Sequence, residues 1–221
     1  MNTATALIAR AEASLDRYQH APGHENTDAA RSLHRDLLAL LPAARTLLAE
    51  RDDLARRLEA ARRDPLTGLP ARAAFTAAAE QLLATAAAPA VLMVDLVDFK
   101  AVNDTHGHET GDAVLAAAGR RLADWAGTGA VVGRLGGDEF AAALDTDPDV
   151  LPERLAALRQ LLEQHVDHHG HRLAVGASIG AATLTDHPAR DLSALLHAAD
   201  LAMYADKGRG RRGRRQHIRA A

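Results

Sequence analysis

Two consecutive carboxylates at a predicted hairpin tip are the residues of this chain best suited to chemistry. Asp138 and Glu139 follow Gly136 and Gly137, and short apolar segments lie on both sides of these four residues. Adjacent glycines between apolar segments predict a turn that joins two antiparallel strands. Neighbouring carboxylates repel each other unless a cation or proton separates them, so the tip suggests a site for a metal-bound phosphate substrate. An ordinary acidic turn is the alternative interpretation.

A second candidate for ligand binding follows a short apolar segment earlier in the chain. Residues 91–94 are apolar and lead directly into Asp95. This pattern predicts a buried strand that carries a carboxylate at its C-terminal end. Open α/β sheets bind their ligands at that end of their strands, and Asp95 is therefore a candidate ligand-binding residue.

The residues around these two sites resemble the GGDEF domain, the family of the diguanylate cyclases. Residues 95–112 follow the family pattern Asp-x-Asp-x-Phe-Lys-x-x-Asn-Asp-x-x-Gly-His-x-x-Gly-Asp at all but one position. Further matches lie at residues 64–70, 134–140, 177–180 and 199–207, so that five ordered blocks span residues 64–212. The resemblance implies an α/β (α+β) fold of the nucleotidyl cyclase type, in which helices flank a central, mainly antiparallel sheet.

The resemblance also implies an activity. A diguanylate cyclase joins two GTP molecules into cyclic di-GMP and releases two pyrophosphates, with Mg²⁺ as its metal and Mn²⁺ as a possible replacement. Because one site holds one GTP and the ring needs two nucleotides that face each other, the resemblance implies a homodimer. The alternative function is a catalytically weakened GGDEF domain that binds GTP or another nucleotide and signals by protein contact.

The resemblance assigns roles to individual residues. The carboxylates of Asp95 and Asp138 and the carbonyl of Leu96 would hold Mg²⁺, which prefers oxygen ligands. Glu139 would take the proton from the attacking 3′-hydroxyl, although the family also assigns this role to the position of Asp138. Lys100 would stabilise charge on the α-phosphate. The remaining implied substrate-binding residues are Asn103 and Asp112 for guanine, His108 beside them, the backbone of Asp98, Phe99, Gly136 and Gly137, and Lys207 and Arg211 for the outer phosphates.

Two departures from the family pattern bear on this assignment. Val97 stands where the pattern has its second Asp, so one acidic group expected beside the metal is missing, which favours the weakened alternative. The family's product-binding Arg-x-x-Asp would fall at residues 127–130, which are Gly-Thr-Gly-Ala here. We therefore expect no charged group at that position to bind cyclic di-GMP.

The chain divides into three parts. Residues 1–63 are rich in Ala, Leu, Arg and Glu and predict helices, residues 64–212 form the expected catalytic domain, and residues 213–221 form a basic tail. Between residues 33 and 61, apolar positions alternate in steps of four and three, interrupted by Pro42 and Arg51, which predicts a coiled-coil segment for dimerisation or signalling. A helix that packs on its own domain is the alternative. This part would be either a small helical input domain or a fragment of a longer signalling protein.

Composition narrows the class of protein. A net charge of −3 argues against general nucleic-acid binding, for which a strong basic excess is usual. The chain contains no cysteine, membrane-length apolar segment or secretory signal, so we expect a cytoplasmic protein. Four histidines at residues 165–171 are expected in a solvated loop rather than in a metal site. Apart from Arg211, the C-terminal arginines are expected to be solvated rather than to bind nucleic acid or a membrane surface, namely Arg209, Arg212, Arg214, Arg215 and Arg219.

The expected elements of the catalytic domain follow from its apolar periodicity. Helices are predicted at residues 71–88, 113–125, 152–165 and 192–207, with a polar loop at 103–112. Apart from the first strand and the hairpin, a single further strand is predicted at residues 173–184.

Overall fold

The computed structural model describes residues 6, 8–13, 16, 28–185 and 187–219. Side chains are described in these ranges except at residues 28–34, 36–37, 59–60 and 208–219. The chain divides into two compact units, Met1–Ala60 and Ala61–Ala221. Among the helices in the described ranges, none is long and apolar enough to cross a membrane.

One long helix, α1 (Asp28–Ala61), accounts for most of the described residues of the first unit. The helix continues through Pro42, so the interruption suggested by the sequence does not end it. Four leucines spaced along α1 are exposed by 62 to 67%, namely Leu40, Leu47, Leu54 and Leu58. The predicted heptad positions therefore form an exposed apolar stripe on this helix.

The second unit contains a four-stranded antiparallel sheet and a separate two-stranded hairpin. In chain order the elements are α2 (Arg72–Thr85), β1 (Pro89–Leu96), α3 (Phe99–His106), α4 (His108–Ala126), β2 (Val131–Gly136), β3 (Glu139–Asp145), α5 (Leu151–Leu162), β4 (Val166–His168), β5 (His171–Leu173), β6 (Ala177–Thr183) and α6 (Leu192–Arg219). The strand order of the sheet is β2-β3-β1-β6, and the hairpin is β4-β5. All eight residues of β1 are buried, because β1 pairs with a strand on each side and helices cover both faces. This position explains its continuous apolar sequence.

Two apolar cores lie on the two faces of the sheet. Leu92 and Val94 of β1 belong to the core formed with α4 and α5, whereas Val91 and Met93 belong to the core formed with α2 and α6. Alternate residues of a strand point to opposite faces, so one strand supplies both cores. The predicted α+β fold with a central antiparallel sheet is confirmed.

Several sequence predictions about local structure were wrong. Residues 103–112 are not a loop, because α3 ends at His106, Gly107 breaks the helix with φ +83°, and α4 begins at His108. The predicted single strand at 173–184 is also divided, since only β6 joins the main sheet and Leu173 ends β5. The last helix continues beyond its predicted end at residue 207 and reaches Arg219.

The histidine-rich segment forms the hairpin β4-β5 instead of the expected loop. His168 pairs with His171 across the hairpin, and the turn between them has positive φ at both His169 (45°) and Gly170 (79°). Two-residue hairpin turns of this kind require positive φ at both central residues. No group of three or more His, Cys, Asp or Glu residues in the described ranges is arranged to hold a metal ion.

An ion pair between distant segments fixes the signature hairpin. Arg134 Nη1 lies 3.1 and 3.0 Å from the two carboxylate oxygens of Asp64, and Arg134 Nη2 donates to the Gly137 carbonyl at 2.6 Å. The backbone N–H and hydroxyl of Thr67 also donate to Asp64. Burial raises the pKa of the Asp64 carboxyl, but the hydrogen bonds from Thr67 and Arg134 outweigh it and hold the pKa below the ordinary value of 3.8.

We expect Asp64→Asn to destabilise the protein at neutral pH by about 1–3 kcal/mol, because it removes the charged partner of a largely buried guanidinium. A carboxyl with a lowered folded-state pKa stabilises the protein above its unfolded-state pKa, and this contribution is lost as the pH falls through the folded-state pKa. The difference in melting temperature between wild type and variant should therefore shrink once the pH falls below 3.8.

Thermal unfolding across this pH range measures the effect. Asp167→Asn is the control, because Asp167 forms a 4.0 Å pair with Arg172 in which both side chains are more than 70% exposed. A difference for Asp64→Asn that stays constant through the acidic range would contradict the assignment.

Candidate active site

The C-terminal end of β1 brings three carboxylate residues to one end of the sheet. Asp95 is 7% exposed and lies directly opposite Glu139 of β3 and Ser178 of β6. The Leu96 N–H donates to the Asp138 carbonyl at 3.3 Å, which joins the strand end to the hairpin tip. The register of β1 and β3 therefore places Asp95, Asp138 and Glu139 in the same region.

Lys207 of α6 supplies the positive charge beside Asp95. Its Nζ lies 2.6 Å from Asp95 Oδ2, and the two residues are 112 positions apart in the chain. The Asp95 side chain is only 10% exposed, and a buried carboxylate is costly unless a cation or hydrogen-bond donor accompanies it. Lys207 thus belongs to the same site as the strand-end carboxylate.

The candidate metal ligands are all oxygen atoms. They are the carboxylates of Asp95 and Asp138 and the carbonyl of Leu96, a donor set that suits Mg²⁺ better than a softer metal. Glu139 lies in the same region, but no group of three or more His, Cys, Asp or Glu residues in the described ranges is arranged to hold a metal ion. This composition fits an ion such as Mg²⁺, which binds one or two protein carboxylates together with substrate phosphates and water.

The hairpin tip lies between two arginines. Gly137 has φ +49°, a backbone conformation that favours glycine, and Asp138 and Glu139 are partly exposed beside it. Arg72 Nε donates to the Leu135 carbonyl at 3.2 Å, and its Nη2 lies 3.8 Å from Glu139 Oε2. Neither Arg72 nor Arg134 could be predicted as a site residue, because nothing in their local sequence indicates which distant groups they contact.

The start of α3 lies immediately after the strand-end carboxylate. Asp98 precedes the helix with φ +55°, an uncommon conformation for a residue other than glycine, and Phe99 is buried. Lys100 is exposed on the first turn of α3. The exposed N–H groups at such a helix start can bind an anion, which agrees with the role expected for the backbone of Asp98 and Phe99.

The junction of α3 and α4 collects the residues expected to recognise guanine. Asn103 is partly buried on α3, whereas His108 and Asp112 are exposed near the start of α4. A Cβ atom added to Gly111 would overlap Asn103 Oδ1, so the Asn103 side chain lies directly over the helical turn that carries Asp112. The structure therefore brings Asn103 and Asp112 to one junction.

Arg211 is the one predicted site residue whose side chain lies outside the described residues, although its backbone belongs to α6.

Val97, the departure from the family pattern, faces away from the hairpin tip. Its N–H donates to the Gly176 carbonyl at 2.7 Å, and its side-chain atoms lie 3.7 and 3.8 Å from the place where a Cβ on Gly176 would stand. The side chain thus packs against the segment that precedes β6. It does not lie between Asp95 and the hairpin carboxylates.

Comparison with known proteins agrees with this geometry. The family model for the diguanylate cyclase GGDEF domain matches residues 61–213. The chain belongs to the GGDEF family. Over 162 residues this GGDEF protein is 49% identical to an uncharacterised 19.3 kDa protein of Streptomyces ambofaciens, a match that covers 73% of this chain and 87% of that one.

Two further matches are to proteins with descriptive names. Over 156 residues the chain is 39% identical to the diguanylate cyclase DgcN of Escherichia coli K12, a match that covers 68% of this chain but only 38% of DgcN. The coiled coil and GGDEF domain of DgcB from Caulobacter crescentus, solved in complex with c-di-GMP, aligns with a TM-score of 0.65 and 25% identity over 78% of this chain and 94% of that one. The predicted family is therefore confirmed. The match with this chain covers less than half of the length of DgcN.

Gly111→Ala tests whether the Asn103 position matters for nucleotide binding. The added methyl group meets the end of a flexible side chain, so Asn103 should move while the fold is kept, and α4 should gain helix propensity. We expect the affinity for a non-hydrolysable GTP analogue to fall by about tenfold, because recognition sites built on hydrogen bonds tolerate displacement poorly. Glu109→Ala changes an exposed residue on the same turn and serves as the control.

Binding is measured by calorimetry and folding by thermal unfolding. Unchanged affinity in a stably folded Gly111→Ala protein would remove Asn103 from nucleotide recognition.

Proposed function

We propose that this GGDEF protein is a diguanylate cyclase that joins two GTP molecules into cyclic di-GMP and releases two pyrophosphates. The observation that carries the proposal is the β1-β3 register, which sets Asp95 opposite Glu139, together with the Lys207 amine 2.6 Å from Asp95. Relatives named diguanylate cyclases at 35 to 39% identity support the same reaction class.

The proposed cofactor is Mg²⁺, with Mn²⁺ as a substitute. Asp95, Asp138 and the Leu96 carbonyl would hold it, and when bound it would neutralise charge on the triphosphate and favour attack on the α-phosphorus. The protein would need few further ligands, because phosphate oxygens complete the coordination of Mg²⁺ in many nucleotide sites.

The proposed chemistry assigns proton transfer to the hairpin tip. Glu139, or Asp138 in its place, would accept the proton of the 3′-hydroxyl as that oxygen attacks the α-phosphorus of the facing GTP. The Arg72 guanidinium, 3.8 Å from Glu139, would keep the Glu139 carboxylate beside the hairpin. Lys100 would stabilise the charge that develops on the α-phosphate, and Lys207 would bind the outer phosphates together with Arg211.

The base would be recognised at the junction of α3 and α4. A carboxylate at Asp112 can accept hydrogen bonds from N1 and N2 of guanine, which adenine cannot offer together. Asn103 would complete the recognition, with His108 beside it. The substrate proposed on this ground is GTP rather than ATP.

A catalytically weakened nucleotide-binding module remains the second candidate, because Val97 replaces an acidic residue of the family pattern. The direction of the Val97 side chain, toward Gly176 and away from the hairpin tip, favours the enzyme. The carboxylates proposed for metal binding and proton transfer are all retained.

Glu139→Gln separates catalysis from binding. Since the shape is kept and the basicity is lost, we expect GTP affinity within about twofold of wild type and cyclic di-GMP formation lowered by at least about 100-fold. Purified protein is incubated with GTP and Mg²⁺, and the products are resolved by chromatography. Glu153→Gln, at an exposed site on α5, is the control.

Two outcomes would count against the proposal. Wild-type protein that binds GTP without forming cyclic di-GMP would favour the weakened module. Full activity in Glu139→Gln would move the base to Asp138.

We also infer a homodimer, because the product ring requires two GTP-loaded sites that face each other. The exposed leucines of α1 supply a surface for pairing with the same helix of a second copy. Such pairing would raise the effective concentration of one catalytic domain near the other to roughly the millimolar range, without any new contact in the active site.

Replacing Leu47, Leu54 and Leu58 by Gln should therefore lower specific activity in dilute enzyme by about tenfold or more, and by less as the enzyme concentration rises. Specific activity is measured over a broad dilution series, with sedimentation to report the oligomeric state. Leu201→Gln is the control, because Leu201 is also an exposed leucine, at 58%, but lies on α6. A variant-to-wild-type ratio that does not change with concentration would rule out pairing through α1.

A further inference from the structure

The first half of α6 packs closely against β6, backbone against backbone. A Cβ atom added to Gly180 would collide with the backbone of Ala199 and Met203, so the helix rests directly on the strand. Ala199 and Met203 are themselves buried. Lys207 follows Met203 by about one helical turn, and its reach to Asp95 therefore depends on how this part of α6 is held on the sheet.

Asp206, the neighbour of Lys207, binds the free edge of the sheet. Asp206 Oδ2 accepts a hydrogen bond from the Ile179 N–H at 3.2 Å and lies 2.9 Å from Arg159 Nη2. Arg159 Nη1 in turn donates to the Ala177 carbonyl at 2.9 Å. Because β6 is an edge strand, these backbone groups have no partner strand on that side, and the Arg159-Asp206 pair satisfies them.

Asp206 and Lys207 thus anchor α6 in two directions. Asp206 contacts the outer edge of β6, whereas Lys207 contacts Asp95 on the interior strand β1. With the helix fixed at residue 206, the adjacent Lys207 has few positions available to its backbone, and only its side chain remains to be oriented.

The position that departs from the family pattern lies in the same place. Val97, Arg159, Asp206 and Lys207 line one cavity of about 120 Å³, together with Glu163 and the start of β6. An aspartate at residue 97 would therefore have entered a cavity that holds a guanidinium and an amine. In this chain Asp206 supplies a carboxylate to that cavity from α6 instead.

We propose that Asp206 and Arg159 are positioning residues for Lys207, and that Asp206 takes the place of the carboxylate missing at Val97. The inference rests on the proposed function, in which Lys207 binds the outer phosphates of GTP. Asp206 acts through Lys207 and does not itself contact the nucleotide.

A double-mutant cycle tests this dependence. We expect Asp206→Ala to weaken binding of a non-hydrolysable GTP analogue by about fivefold and to raise KM more than it lowers kcat. In the Lys207→Met background the same change should have no further effect, because the residue that Asp206 positions is already gone. Asp206→Asn, which keeps an acceptor for the Ile179 N–H but loses the charge toward Arg159, should give a smaller loss.

Rescue by a second substitution tests whether a carboxylate at residue 97 can replace the carboxylate of Asp206. Val97→Asp should restore most of the affinity lost in Asp206→Ala, since the new carboxylate enters the same cavity. Asp167→Ala, which removes a carboxylate from the exposed pair with Arg172, is the matched control and should leave affinity unchanged. Thermal unfolding of each variant shows that the fold is retained.

The outcomes separate this inference from the proposed function. Equal losses from Asp206→Ala with and without Lys207, or no rescue by Val97→Asp in a folded protein, would overturn the inference alone. Wild-type protein that binds no guanine nucleotide would overturn the proposed function and this inference with it.

Discussion

The pairing of Asp95 with Lys207 is the interaction on which the candidate site depends. A carboxylate that is almost fully buried is stable as an ion only beside a cation or several donors, and Lys207 provides this from α6. Asp95 lies at the end of an interior strand, so β3, β6 and α6 must all be in place for the pair to form. The site therefore requires that α6 be packed against the sheet.

The hairpin tip depends on a second long-range pair. Arg134 precedes the two signature glycines and holds Asp64, 70 residues away, while donating to the Gly137 carbonyl across the turn. Both side chains are less than 20% exposed, so the pair is weakly screened by solvent. The block at residues 64–70 carries no candidate catalytic residue, but this contact gives it a structural role. Asp64 binds the Arg134 side chain, and Arg134 in turn binds the carbonyl of Gly137 in the hairpin turn.

The features that sequence analysis predicted correctly have local signals. An apolar segment that ends in Asp95, and two glycines between apolar segments, indicate a buried strand and a hairpin without knowledge of the rest of the fold. The break at Gly107 was missed because a polar segment can form either a loop or two short helices, and the choice depends on packing against the sheet. The partners of Lys207 and Arg134 could not be predicted. Each partner lies at least 70 residues away in the sequence and comes close only when the sheet and its helices are assembled.

Val97 occupies the motif position of the family's second Asp, but its side chain does not point where the motif alone would place it. In an extended strand, residues 95 and 97 would point to the same face, and an Asp at both would place two carboxylates on one ligand. Here β1 ends at Leu96, and the Val97 N–H turns to the Gly176 carbonyl, so its side chain leaves the direction of Asp95. The acid that the pattern leads one to expect would then face Arg159 and Lys207 in the cavity beside β6 rather than the hairpin carboxylates. The replacement of that acid by Val97 therefore changes the surroundings of the Arg159 and Lys207 side chains, and it leaves the proposed metal ligands intact.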